Sequence, residues 1–246
     1  MKLLAVIPAR YDSSRFPGKP LVMIGDRPMV QRVYEAAQSC KAFSKVVVAT
    51  DSEKVADCVQ GFGGAVEMTR SDHETGTDRV AEVAERYPDI GAIANVQGDQ
   101  PFVTQEMLAQ LVEPYLSGKN PDMTTLACPL TGSDSYNDPN TVKVLCDRHQ
   151  QALYFSRSPI PFYRNKPSDN QLQIPVYHHL GLYAFRRDFL AHYAELEPTP
   201  FEQCEALEQL RALEHGYRIV VCPTAKSILE INTPEDLAKA ESMLSL

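Results

Sequence analysis

Short apolar runs, each too brief for a helix and each ending in a turn, alternate with helix-like stretches through the first half of the chain. Leu3–Ile7 stops at Pro8, Lys45–Thr50 is apolar at Val46, Val47, Val48 and Ala49, and Ala92–Val96 runs into Gln97-Gly98-Asp99-Gln100-Pro101. Runs of this length, bounded by turn residues, read as buried strands. Between them Pro28 opens a helix with Met29, Val30, Val33, Tyr34 and Ala37 on one face. Asp51 is placed to cap a short helix that ends at Gly61–Gly64, and a short strand at Ala65–Met68 precedes a helix over Thr77–Arg86. Thr104 begins a further helix with Met107, Leu108, Leu111, Val112, Tyr115 and Leu116 inward. Strands alternating with helices require a mainly parallel sheet with right-handed crossovers, so the expected fold is α/β and Rossmann-like. The Gly61-Phe-Gly-Gly64 run is no dinucleotide fingerprint, because it follows a helix rather than a strand.

The second half changes character. Strands are expected at Met123–Leu130, Val142–Cys146, Ala152–Phe155, Gly181–Phe185 and Arg218–Cys222, and a helix over 203–214 with Leu207, Leu210 and Leu213 inward. Thr233-Pro234-Glu235-Asp236 is a clear helix start, with a cap, a proline at the first position and an acid at the third. Pro159, Pro161 and Pro167 punctuate an irregular stretch over 158–176, and long irregular segments are usually functional. Residues 131–180 are therefore read as a dimerisation arm or lid, an excursion from a single domain spanning 1–246.

A net charge of −8 argues against a nucleic-acid partner, which wants a basic face. No apolar stretch approaches the roughly 18 residues that span a membrane, and the N-terminal run lacks the length and cleavage site of a signal peptide. The six cysteines form no CxxC pair or Cys/His cluster, which suits reduced, mostly buried thiols in a cytoplasmic protein.

Against this acidic background, Arg10, Arg15 and Lys19 stand five and four residues apart behind the first strand, interleaved with Ser13, Ser14 and Gly18. Ligands of open α/β sheets sit at the C-terminal ends of strands. Fixed positive charge, hydroxyls and backbone N–H groups there suit a polyphosphate, with Arg gripping oxygens bidentately and Lys acting as a point charge. Asp99, also behind a strand, is the best candidate ligand for a hard divalent cation such as Mg²⁺, which takes one or two carboxylates plus phosphate oxygens. The late turn Glu230-Ile231-Asn232-Thr233 offers a second group, where the obvious residue is the amide Asn232. Arg157, His179, Tyr183, Glu208 and Gln209 could hold a polyhydroxylated acid, although Tyr183 could be core and Glu208 a surface helix residue. His178-His179 has no third ligand at metal spacing. With no Ser/His/Asp elbow or reactive-Cys signature, catalysis would rest on positioning and charge.

A set of motifs recurs in a fixed order: Ile7-Pro-Ala-Arg10, Ser14-Arg15-Phe-Pro-Gly-Lys19-Pro-Leu21, Thr75-Gly-Thr77, Val96-Gln-Gly-Asp99, Ala152-Leu-Tyr-Phe-Ser-Arg157, His179-Leu-Gly-Leu-Tyr183, Leu207-Glu-Gln-Leu-Arg211 and Thr233-Pro-Glu-Asp-Leu237. Across nearly the whole chain this resembles the CMP-Kdo synthetases, the 3-deoxy-D-manno-octulosonate (Kdo) cytidylyltransferase family. The resemblance implies a nucleotide-diphospho-sugar transferase fold of the GT-A type, a cytoplasmic homodimer, Mg²⁺, and the reaction of CTP with Kdo to give CMP-Kdo and pyrophosphate for lipopolysaccharide biosynthesis. By match, Arg10, Arg15, Lys19 and Asp99 would be catalytic. Pro8, Ala9, Arg10, Arg15, Lys19, Thr75, Gly76 and Gln97 would line the nucleotide. Gln97, Arg157, His179, Tyr183, Glu208 and Gln209 would hold the sugar, and Asp99 and Asn232 the metal. The family has Asp where this chain has Asn232, and a glycine-rich turn where this chain has Ser227-Ile-Leu-Glu230. Three alternatives stay open: a related acid such as 8-amino-Kdo or a sialic acid, a non-catalytic CTP-binding homologue, and a glycosyltransferase of similar fold. The last is disfavoured because no Asp-x-Asp occurs at the metal position.

Overall fold

A computed structural model describes residues 1–12, 16–130, 133–164 and 175–244. The chain divides into two compact units, Met1–Val112 with Ile228–Leu246, and Glu113–Ser227.

The first unit opens with β1 (Leu3–Pro8), a 3-10 turn at Lys19–Leu21, a small antiparallel hairpin of β2 (Met23–Ile24) and β3 (Arg27–Pro28), and α1 (Met29–Ser39). It continues through β4 (Lys45–Thr50), α2 (Glu53–Gly61), β5 (Val66–Met68), α3 (Gly76–Glu85) and β6 (Ala92–Asn95) into α4 (Gln105–Leu116), within which the unit boundary falls. The strands pair in the order β6-β1-β4-β5, all parallel. Leu4, Ala5, Val6 and Ile7 are wholly buried, as are Val47, Val48 and Ala49. An apolar character on successive residues, without alternation, is what a strand covered on both faces requires.

Arg79 of α3 is buried, with Nη2 3.0 Å from Asp51 Oδ2 and Nη1 donating to Thr69 Oγ1. It fastens the helix to the turns that follow β4 and β5. Removing one partner of a buried pair leaves the other undercompensated. Arg79→Met is expected to lower stability by roughly 2–3 kcal/mol, since Asp51 keeps some access to water. Urea unfolding would measure this, and an unchanged midpoint would refute it.

The second unit contains β7 (Met123–Pro129), α5 (Ser133–Asn137), β8 (Lys143–Cys146), β9 (Ala152–Ser156), β10 (Tyr177–Arg186), α6 (Arg187–Tyr193), α7 (Pro200–Glu205), α8 (Leu210–Glu214) and β11 (Ile219–Pro223). Here β11 runs parallel to β7, β10 is antiparallel to β7, and β8 and β9 extend the sheet antiparallel from β10. The described part of 131–180 thus comprises α5, β8, β9 and the start of β10; its middle, residues 165–174 with Pro167, lies outside the described residues. The chain then returns to the first unit with α9 (Pro234–Leu244). Ile231 and Ala240 pack with Ile24 and Met29 in a buried cluster, which seats the late segment beside the β2–β3 hairpin.

Several expectations are corrected. Ser52, not Asp51, occupies the N-cap of α2, because Asp51 is taken by Arg79. Leu116 is exposed at the end of its helix. The strand expected at Gly181 begins at Tyr177; Gly181, with φ 67°, lies inside it at a bulge where the pairing with β7 shifts between His179 and Tyr183. Only glycine takes that φ without strain.

The helix expected over 203–214 is two short helices. It breaks at Ala206, whose φ is 51°, and Leu213 is only half-buried. Glu214 Oε2 accepts the N–H groups of Phe201 and Glu202 at the start of α7, and Arg211 grips Glu202 with two hydrogen bonds of 2.8 and 2.7 Å. These long-range bonds hold α7 against α8 and outweigh the helical propensity of the joining residues.

Among the described residues no helix is long and apolar enough to cross a membrane. All six cysteines are free: Cys40, Cys128 and Cys222 are buried, Cys58 and Cys146 half-buried, and Cys204 exposed.

Candidate active site

In the first unit, β1 ends at Pro8 and delivers Ala9 and Arg10. Ala9 is pinned from both sides: its N–H donates to Ala49 and its carbonyl accepts from Thr50 Oγ1. The loop beyond is closed at its base by Gly18 N–H donating to Tyr11, with Gly18 at φ 72°. Arg15, with Ser13 and Ser14, lies outside the described residues. Arg10 Nε and Nη2 are buried with no hydrogen-bond acceptor among the described residues. Buried cationic donors in that state carry a desolvation cost that an arriving anion removes.

Two glycines close on Pro8. A Cβ on Gly98 would stand 2.8 Å from the Pro8 carbonyl oxygen, and one on Gly76 would stand 3.4 Å from the Pro8 ring. The turn after β6 and the start of α3 therefore approach the end of β1 as closely as backbone allows. Thr75 caps α3: its hydroxyl accepts from Asp78 N–H, and the Asp78 carboxylate accepts from Thr75 N–H. Gln97 is half-buried in the turn that follows β6.

Lys19 joins the site's other parts. Its Nζ donates to Asp99 Oδ2 at 2.8 Å and to Asn232 Oδ1 at 3.2 Å. Residues far apart in sequence thus meet on one ammonium, and Ile231 N–H donates to the Asp99 carbonyl at 3.0 Å to hold the late segment there. Sequence reasoning passed over Glu230. It accepts from Gln100 Nε2 at 3.0 Å and from Asn232 Nδ2 at 3.4 Å. Loss of water around its head group, and then the Asp99 carboxylate, push its carboxyl above the usual range. The signal was present in the turn Glu230-Ile231-Asn232, read there for its amide alone.

The second unit assembles the other predicted residues. His179 and Tyr183 on β10 and Gln209 at the break before α8 are all buried, with Gln209 hydrogen-bonded to both of the others. Tyr183 OH donates to Gln209 Oε1 at 2.9 Å, so Tyr183 is core and ties that candidate residue to the strand. Burial, with a smaller contribution from His178, lowers the His179 pKa to about 3. Glu208, in the same break, is half-buried and accepts from Tyr193 OH through its carbonyl.

Arg157 serves the fold as well as any ligand. Its guanidinium donates to the carbonyls of Glu205, Pro139 and Ala206. Behind it, fully buried Lys143 donates to the carbonyls of Asp138, Thr141 and Arg157, and burial lowers its pKa.

Buried guanidinium donors behind the first strand of a parallel sheet, and carboxylate and amide oxygens gathered on one lysine, suit a nucleotidyltransferase. The chain belongs to the cytidylyltransferase family, whose model matches residues 4–219. It is 67% identical to a 3-deoxy-manno-octulosonate cytidylyltransferase of Acaryochloris marina, over 98% of this chain and 96% of the relative. A protein of the same description from Synechococcus elongatus is 53% identical over 100% and 99%. A solved structure of CMP:2-keto-3-deoxy-manno-octonic acid synthetase complexed with CTP superposes with a TM-score of 0.93 at 39% identity, covering 100% of this chain and 99% of the other.

Proposed function

We propose that this protein is a 3-deoxy-manno-octulosonate cytidylyltransferase, which activates Kdo with CTP for lipopolysaccharide biosynthesis. The observation that carries the nucleotide half is half-buried Arg10 at the end of β1, whose guanidinium Nε and Nη2 are buried without a described acceptor. The sugar half follows from the named relatives. Arg10, Arg15 and Lys19 take the triphosphate, and Pro8, Ala9, Thr75, Gly76 and Gln97 line the nucleotide. His179, Tyr183, Glu208 and Gln209, with Arg157, take the sugar acid. The anomeric hydroxyl of the acid releases its proton to solvent as its oxygen forms the new bond to the α-phosphorus, the α–β phosphoanhydride breaks, and pyrophosphate departs with the electron pair. The fixed cations stabilise the charge that grows on the phosphate oxygens.

Mg²⁺ belongs to the same reading. Asp99 Oδ2 and Asn232 Oδ1 already converge on one positive charge, the Lys19 ammonium. They are hard oxygen donors of the kind Mg²⁺ takes alongside phosphate oxygens. When bound, the ion would add charge neutralisation at the triphosphate. A homodimeric, cytoplasmic enzyme completes the proposal.

Pyrophosphate release with CTP tests it, against Kdo, 8-amino-Kdo, N-acetylneuraminic acid and no sugar, with Mg²⁺ titrated from zero. Release with Kdo that rises with Mg²⁺ is the expected result. Release with a different acid would move the substrate, and CTP binding without release would make the protein a non-catalytic homologue.

A further inference from the structure

The hydrogen bonds around His179 have a direction, and it is set by Thr125 on β7. Thr125 is wholly buried. Its hydroxyl proton goes to the Leu182 carbonyl at 2.7 Å. A hydroxyl has one proton. The 3.0 Å approach of Thr125 Oγ1 to His179 Nε2 is therefore an acceptance, and Nε2 carries the hydrogen. A neutral imidazole then has a bare Nδ1, which faces Gln209 Nε2 at 3.5 Å and can only accept from it. That in turn points Gln209 Oε1 away from the ring, where it accepts from Tyr183 OH. One hydroxyl thus decides the tautomer of the histidine and which way round the Gln209 amide lies.

We infer that Thr125 is a positioning residue for the sugar-acid pocket: it locks His179 in the Nε2–H tautomer and, through the ring, fixes the donor and acceptor ends of Gln209. No sequence motif singled it out, since Met123-Thr-Thr-Leu126 reads as ordinary buried strand. The bulge at Gly181 belongs to the same device. It lies between His179 and Tyr183, the stretch of β10 from which the Leu182 carbonyl accepts the Thr125 proton. The inference rests on the proposed sugar-binding role of His179, Tyr183 and Gln209.

The test uses the full chain labelled with ¹⁵N at its histidine rings, with the His179 resonances identified from their absence in His179→Gln. The wild-type spectrum should show protonated Nε2 and bare Nδ1; protonated Nδ1 would overturn the inference without any variant. Thr125→Val keeps the shape and removes the hydroxyl. It should mix or reverse the tautomers and raise the KM for the sugar acid about tenfold, with the KM for CTP little changed. Thr125→Ser should restore both, which a change of packing alone would not do. If Thr125→Val leaves the tautomer as it was, Thr125 does not set it and the inference fails. If the tautomer moves while the sugar-acid KM does not, the pocket assignment of His179 and Gln209 fails instead.

Discussion

Lys19→Met should lower turnover about 10²–10³-fold, the usual loss when one preorganised charge is taken from a site where charge develops. The side chain is held by Asp99 and Asn232, so its position is set before any substrate arrives. Methionine keeps much of the aliphatic stem and removes only the ammonium. Affinity for CTP, read by calorimetry, should fall as well. Lys19→Arg should recover only part of the rate, since a planar fork cannot fully take the place of a compact ammonium between two oxygens. A Lys19→Met enzyme within threefold of wild type would remove Lys19 from the catalytic set.

Acid should destabilise the protein well before its carboxylates titrate. His179 titrates near 6.5 in an unfolded chain and at about 3 in the folded one. Between these values the unfolded chain binds the proton and the folded protein does not. Stability is therefore complete above pH 6.5 and falls as pH drops toward 3, by on the order of 4 kcal/mol. His178, also lowered by burial, acts in the same direction. His179→Gln retains a donor for Thr125 and removes the titration. Urea unfolding at stepped pH should show its slope of stability against pH smaller than wild type by close to one proton across that window. Equal slopes would mean that His179 is not the buried neutral group described.

The first unit was legible because its signals are local. Leu3–Ile7, Lys45–Thr50 and Ala92–Val96 are continuous apolar runs, and the Thr233–Asp236 start of α9 depends on four adjacent residues. Arg10 and Asp99 could be singled out as candidates because they stand directly behind strands. What escaped depended on partners far away in sequence. Nothing between Cys204 and Gln209 announces a break; Arg157, Glu214 and the Arg211–Glu202 pair impose it. Asp51 looks like a cap until Arg79 arrives 28 positions later. Thr125 becomes meaningful only when β10 brings His179 beside it, and Glu230 only when Gln100 and Asn232 surround its carboxylate. Composition could suggest reduced thiols, but not that Cys204 would face solvent while Cys222 would not.

The buried Lys143 ammonium has a consequence for how substrate preference could change over generations. Its three carbonyl acceptors come from Asp138, Thr141 and Arg157, so one loop and a strand end share one cation. Any drift in one of them strips that cation of a partner where water cannot replace it. The corner is therefore an all-or-nothing block. On the proposed sugar-binding role of these residues, a lineage adapting to a differently decorated acid would find small side-chain replacements around His179 and Gln209 far more accessible than any gradual reshaping of the backbone that carries Arg157.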